Sequence, residues 1–184
     1  MKQLLLHHCC APCSPIVVAS FMERFSVRSF WFNPNIGPHE EYTSRYESLK
    51  NFVRSRGLSL SEGPVYPQNQ WMADVGTVAD RCTYCYRLRL TETAREACKK
   101  GIDFYSTTLL VSPYQKHDLI RAIGEDVARQ FGVGFVYEDF RKQFYKGKDV
   151  ARKEGSYIQK YCGCLFSREE RLKAKTRVST QKSL

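Results

Sequence analysis

No apolar run in this sequence approaches the roughly 18 residues that a membrane span requires. The opening Met1–Cys10 holds only three consecutive leucines, too short for a secretory core, and no small-residue cleavage site follows. The chain therefore reads as a protein of the cytoplasm, with no membrane partner. It also lacks the GxGxxG fingerprint, which argues against a tightly held nicotinamide or flavin. No Ser-Gly-Gly loop follows the first apolar run. Cys9-Cys10-Ala11-Pro12-Cys13-Ser14 stands there instead. Thiols and a proline cannot cradle phosphates as glycine N–H groups do, so no use of ATP is expected. No repeat, low-complexity stretch or linker interrupts the 184 residues. One domain spanning 1–184 is expected.

Acid is scarce in the last quarter, where Asp149, Glu154, Glu169 and Glu170 stand alone among many Lys and Arg. Nearly all of the net charge of +10 falls on 141–184. A one-sided basic segment is the footprint of a phosphate-backbone binder, although it can also be a solvated tail. Interleaved rings (Phe140, Phe144, Tyr145, Tyr157, Tyr161, Phe166) favour nucleic acid, because unpaired bases stack on aromatics. Some of these rings must also serve the core.

Cysteine, by contrast, is abundant. Seven of the eight cysteines fall into three groups, Cys9-Cys10-Ala11-Pro12-Cys13, Cys82-Thr83-Tyr84-Cys85 and Cys162-Gly163-Cys164. Thiols stay reduced in a cytosol, so clustered cysteines there are metal ligands or catalytic groups before they are disulfides. The eighth, Cys98, reads as a core residue on an apolar helix face. Structural zinc takes four ligands and would leave three thiols over. A [4Fe–4S] cluster takes four as well. Seven thiols suggest a cluster with a second site or with spare redox thiols, and a dithiol–disulfide couple ranks third.

The hydrophobic pattern alternates strand and helix. Leu4–Leu6, Val27–Phe32, Phe104–Val111 and Gly134–Tyr137 read as strands, with a short one near Leu58–Leu60 or Val65. Ser14-Pro15 and Ser112-Pro113 read as helix starts with Ser as the cap. A helix opens at Pro38 and stops at Gly57, a short one lies near Trp71, and another runs from Cys85 to Lys100. Leu119, Ile120, Ile123, Val127 and Phe131 form an apolar stripe. The expected fold is α/β: a mostly parallel sheet flanked by helices, of Rossmann-like or HUP type, with a basic helical part over 141–184. Such sheets bind ligands at the carboxyl ends of their strands, where the first cysteine group falls. His7 and His8 adjoin that group as proton-donor candidates, though a strand histidine is more often a packed one.

Several ordered blocks now carry a resemblance. They are residues 4–14 (LLLHHCCAPCS), Phe32-Asn33-Pro34-Asn35-Ile36 with Glu41-Tyr42, Arg81–Leu90 (RCTYCYRLRL), Asp103–Leu109 with Ser112–Lys116, Asp139–Lys142, and Tyr161–Cys164. Together they resemble the QueH-type epoxyqueuosine reductases. His8 and Asp80 depart from the family pattern, and the tail after Arg168 lies outside it. The resemblance implies removal of the epoxide oxygen from epoxyqueuosine at the wobble position of a tRNA anticodon loop, without cobalamin. It also implies a [4Fe–4S] cluster and an additional iron ion held by two cysteines and an aspartate. All seven clustered cysteines (Cys9, Cys10, Cys13, Cys82, Cys85, Cys162, Cys164) are then metal-ligand candidates. Cys10, Cys82, Cys85 and Cys162, or Cys164 in its place, are expected on the cluster. Asp103 precedes its strand, whereas Asp139 follows the last one at the ligand end, so Asp139 is the expected aspartate. Tyr114 and Lys116 are candidates for proton donation or phosphate binding, and electrons must come from a separate donor. The rivals are a zinc-dependent tRNA-binding module and a tRNA sulfurtransferase.

Overall fold

The computed structural model describes residues 1–181, with side chains described as far as residue 176. The last three positions of the basic segment lie outside the described residues. Five strands form one sheet, β1 (Gln3–His7), β2 (Ser26–Trp31), β3 (Leu60–Glu62), β4 (Phe104–Thr107) and β5 (Gly134–Phe135), in the order β3-β2-β1-β4-β5. Every neighbouring pair is parallel. Parallel neighbours need crossovers, and these are α1 (Ser14–Met22), α2 (His39–Ser55), α3 (Gln68–Gly76), α4 (Arg81–Lys99) and α5 (His117–Phe131). α6 (Phe144–Lys153) and α7 (Leu165–Gln181) complete the chain. Leu4, Leu5 and Leu6 are all fully buried. A strand covered on both faces reads as a continuous apolar run rather than an alternating one. No helix of the described residues is long and apolar enough to cross a membrane.

The local signals hold in part. Gly57, Gly101 and Gly132 end α2, α4 and α5 at φ near +65°. Ser14 is not a cap. It lies inside α1, and its hydroxyl donates back to Cys10 O at 2.9 Å. Ser112 does not start α5 either. The helix begins at His117, and Ser112 Oγ accepts from the Tyr114 backbone N–H inside the preceding loop. The Phe104–Val111 strand stops at Thr107 and tightens into a 3₁₀ turn, Thr108–Val111, whose first N–H to be capped, that of Leu109, donates to Thr107 Oγ1. α4 begins four residues earlier than expected, because Asp80 accepts from Cys82 N and caps it. The last strand is limited to Gly134–Phe135. Cys98 is exposed, not core. The buried face of α4 runs through Tyr86, Leu90, Thr93, Ala94 and Ala97, and Cys98 is rotated about 100° from Ala97, away from it.

Two histidines fill the centre of the sheet at the end of β1. His7 Nε2 lies 3.2 Å from Phe32 O, an acceptor only, so the proton sits on Nε2 and Nδ1 accepts from Thr107 Oγ1 at 2.9 Å. His8 Nδ1 donates to Ser14 Oγ at 2.8 Å, since that hydroxyl already gives its proton to Cys10 O, and Nε2 accepts from Ser29 Oγ at 3.0 Å. Burial pushes His7 down to about 3 and His8 down to about 4. Both are neutral packed groups, with every ring nitrogen engaged. The folded protein thus refuses two protons that the unfolded chain accepts below pH 6.5. Above that pH neither state binds them. Below it each histidine removes about 1.4 kcal/mol of stability per pH unit, down to its folded pKa. Urea unfolding between pH 7.5 and 5 should show this fall, to which His117, also lowered by burial, adds, and His8→Thr should make the slope shallower. A flat profile would refute the neutral pair.

Candidate metal centre and cavity

The first three thiols are delivered by the way β1 ends. Cys10 is extended (φ −176°, ψ 161°), and the next three residues, Ala11–Cys13, wind into a 3₁₀ turn that opens α1. The result brings Sγ of Cys9, Cys10 and Cys13 within 4.8 Å of one another, with Cys9 and Cys10 at 3.5 Å. Thr108 Oγ1 accepts from Cys9 N at 3.0 Å and donates to Cys9 Sγ at 3.3 Å. Gln159 Nε2 donates to Cys10 Sγ at 2.9 Å. Hydrogen bonds from Cys10 and Cys13 hold the Cys9 thiol well below its usual range, and the Arg89 charge adds to them. Burial pushes Cys10 up, and the proton that Cys13 gives to its two neighbours keeps Cys13 up. Three sulfurs thus converge, with Cys9 the one that most readily loses its proton, a geometry suited to a cation.

The other four thiols face one another from two elements. Cys82 and Cys85 ride the first turn of α4. Asp80 fixes that turn. Its carboxylate binds Lys116 Nζ, Thr83 Oγ1 and Cys82 N, each at 2.9 Å, and the Lys116 contact leads in holding Asp80 at about 2. Burial pushes Cys85 up to about 12, with the neighbouring Cys162 and Cys164 adding to it. Cys162 likewise raises Cys82, after burial. Cys164 packs with Cys85 against Trp71 and Val75. Gly163, at φ 145°, lets the loop turn between its two cysteines, and a Cβ there would sit 3.1 Å from Asn35 Nδ2 and 3.3 Å from Arg45 Nη1.

Two buried arginines position these groups. Arg45, 2% exposed, pairs with Glu41 at 2.7 Å and donates to Tyr161 O and Cys162 O, each at 3.0 Å. Glu41 is completed by Tyr157 Oη at 2.6 Å. Arg89, also 2% exposed, reaches Cys85 Sγ at 3.8 Å and Asn33 Oδ1 at 2.6 Å. Burial works against its charge, but Cys85, Cys9 and Cys162 outweigh that and raise its pKa. Arg89 therefore stands between the two thiol groups. Both arginines sit four residues after a functional partner on one helix face, Arg45 after Glu41 and Arg89 after Cys85. That i,i+4 spacing was the readable signal.

A cavity of about 710 Å³ opens over the thiols, with Cys9, Cys13 and Cys162 in its wall and Arg45, Tyr114 and Gln159 among its lining. Gln115 stands at its side, accepting from Tyr86 Oη at 2.6 Å and pointing Nε2 at Cys162 Sγ, 3.5 Å away. Lys116 pairs with Asp80 rather than lining the cavity. Asp139 follows β5 at the carboxyl end, and Arg141 donates from Nε to Oδ1 at 2.9 Å and from Nη2 to Oδ2 at 2.6 Å, which holds its carboxyl at about 2. It lies 3.9 Å from His117 and outside the converging thiol group. Of the interleaved rings, Phe140 is core against Phe21, Phe166 packs on Trp71, and Tyr161 donates to Gly37 O.

The donor set fits an iron–sulfur centre. Seven reduced thiols lie in two facing groups, three of them convergent, with buried guanidinium charge beside them. Comparison with known proteins gives the family. A family model described as "Epoxyqueuosine reductase QueH" matches residues 4–170. The protein of that description from Dehalococcoides mccartyi is 36% identical over 171 residues, 92% of this chain and 94% of its own. The one from Thermotoga maritima is 33% identical over 192 residues, 99% of this chain and 98% of its own. Among solved structures, the U34-tRNA thiolase NcsA from Methanococcus maripaludis, with its [4Fe–4S] cluster, is similar at a TM-score of 0.54. The match has 11% identity and covers 98% of this chain and 67% of that one, a likeness of fold. With its thiol groups, its parallel sheet and these relatives, the chain belongs to the epoxyqueuosine reductase QueH family.

Proposed function

We propose that this chain reduces epoxyqueuosine in tRNA to queuosine, using a [4Fe–4S] cluster and an additional iron ion. The observation that carries this reading is the convergence of Cys9, Cys10 and Cys13 within 4.8 Å on a 710 Å³ cavity in a member of this family. Opening an epoxide to an alkene breaks both C–O bonds, consumes two electrons and two protons, and releases water. Metal bound to the thiols supplies single-electron transfer and a Lewis acid. The protein's part is the rest. The cavity holds the epoxide-bearing part of the nucleoside over Cys9, Cys13 and Cys162, Arg89 and Arg45 balance the thiolate charge, and Lys116 is the proposed proton source once its Nζ leaves Asp80 for the cavity. Tyr114 stands too exposed to shield a proton transfer from water. Electrons enter from a separate donor protein or small reductant.

The proposed cluster ligands are Cys10, Cys82, Cys85 and Cys162 or Cys164, and Asp139 is the proposed carboxylate for the additional iron. Asp80 is closer to Cys82, but it stands where the family pattern has no carboxylate. Holding iron requires Asp139 to leave Arg141. Asp139→Ala should therefore lower iron by one atom per chain and spare the visible band near 400 nm, a value typical of the cluster type. Parallel loss of both would remove Asp139 from the site. The turn after β1 carries thiols and Pro12, which has no N–H, in place of a phosphate loop, and this supports a reaction without ATP.

The test of the whole reading is anaerobic purification with iron, zinc and sulfide analysis, followed by assay on epoxyqueuosine-containing tRNA. Iron with matching sulfide and formation of queuosine are expected. A protein that binds zinc alone and leaves the epoxide intact would return the zinc-dependent RNA-binding reading.

A further inference from the structure

Three rings and a lysine form an outward-facing set at one side of the cavity. Tyr114 is 79% exposed and Tyr145 is 69% exposed. Phe144 lies between them, edge-on to both, at 6.0 Å from Tyr114 and 5.2 Å from Tyr145. Lys148 Nζ stands 5.3 Å over the Phe144 ring. Tyr114, Phe144 and Lys148 line the cavity, together with Lys160 and Arg171. The nearby carboxylates are taken, Asp139 by Arg141 and Asp149 by Arg152. Lys146, Lys148 and Lys160 have no carboxylate partner among the described residues.

Two tyrosines left this open add little to folding, since neither ring is buried. Their neighbours decide what covers them. A protein partner favours an apolar patch with few lysines at its centre. Here Lys148 stands over the Phe144 ring, and Lys160, Arg171 and Tyr114 share the wall of the same 710 Å³ cavity. That is the arrangement by which unpaired nucleic acid is held, with bases on rings and phosphates on cations.

We infer that Tyr114 and Tyr145, propped by Phe144, are a stacking platform for the unpaired anticodon-loop bases that flank the nucleotide seated in the cavity, with Lys148 and Lys160 on the intervening phosphates. The inference rests on the reductase reading and extends it from the reacting nucleoside to its neighbours. It assigns Tyr114 to its ring and not to its hydroxyl.

The experiment measures affinity of the metal-loaded enzyme for a fluorescent anticodon stem-loop carrying epoxyqueuosine, with turnover of the same oligonucleotide recorded separately. Tyr114→Ala and Tyr145→Ala should each raise Kd by about 10-fold, the usual loss for one stacked base, while Tyr114→Phe and Tyr145→Phe keep wild-type affinity. Lys148→Gln should lower the slope of log Kd against log salt by about one. Unchanged Kd in both alanine variants overturns the platform, and so does a Tyr114→Phe loss equal to that of Tyr114→Ala. A wild-type enzyme that binds the stem-loop, loses affinity in the alanine variants and never reduces the epoxide supports the platform while sinking the reductase reading.

Discussion

Serine in place of Cys10 should strip the metal centre and abolish turnover, the largest functional effect expected of any single exchange here. Cys10 has no exposed surface to speak of and touches both Cys9 Sγ and Gln159 Nε2. A hydroxyl at that place does not ionise near neutral pH and does not bind soft iron as thiolate does. The loss should extend inward as well, because the Cys10 thiol is the leading cause of the lowered Cys9 pKa. Serine at Cys9, Cys82 or Cys85 should act in the same way. Cys98→Ser is the control, since Cys98 lies exposed on α4 away from the other seven. It should keep full iron, sulfide and activity. Metal content measured across all eight single variants sorts ligands from bystanders. A Cys10→Ser protein with wild-type iron would move the centre elsewhere.

The largest effect on stability should come from Arg45. Methionine there leaves Glu41 buried with Tyr157 as its remaining partner and frees the carbonyls of Tyr161 and Cys162. Breaking a buried pair from one side costs about 3–5 kcal/mol, a large share of the stability of a domain this size. Replacing both members, Glu41→Leu with Arg45→Met, removes the stranded charge and should restore much of that loss. It should not restore iron, because the carbonyls of Tyr161 and Cys162 then lose their tie to α2 and only the contacts at Gly37 remain. Urea denaturation gives the first half of this prediction and iron content the second. A double variant with normal iron would show that Arg45 is a stability element alone.

The readable part of this protein was what short-range rules govern. Continuous burial of Leu4–Leu6 marked a central strand, and Gly57 and Gly101 marked helix ends, because φ near +65° needs glycine. The three thiol groups were visible as spacings. Their mutual placement was not, since Cys162–Gly163–Cys164 is held beside Cys82 and Cys85 by long-range contacts, among them Arg45 on Cys162 O and Gly37 N on Gly163 O, both more than a hundred residues away in sequence. Ser14-Pro15 marked the start of α1 but not its cap, and Ser112-Pro113 marked no helix start. Ser14 Oγ is taken by His8 and by Cys10 O, and Ser112 Oγ by the Tyr114 N–H within its own loop, so neither hydroxyl was left for a helix end. Cys98 misled because an apolar residue one place off the buried stripe already faces water.

The strand order has a consequence in time. β1 is made before its partners, yet it occupies the middle of the sheet, and its second neighbour, β4, ends at Thr107. Until that residue leaves the ribosome, Cys9 lacks the Thr108 hydroxyl that holds it, and Cys10 waits longer still for Gln159. An emerging chain therefore carries its first three thiols bare through most of its synthesis. The seven-thiol set is whole only once Cys164, the last of them, has been made and has packed with Cys85 against Trp71 and Val75.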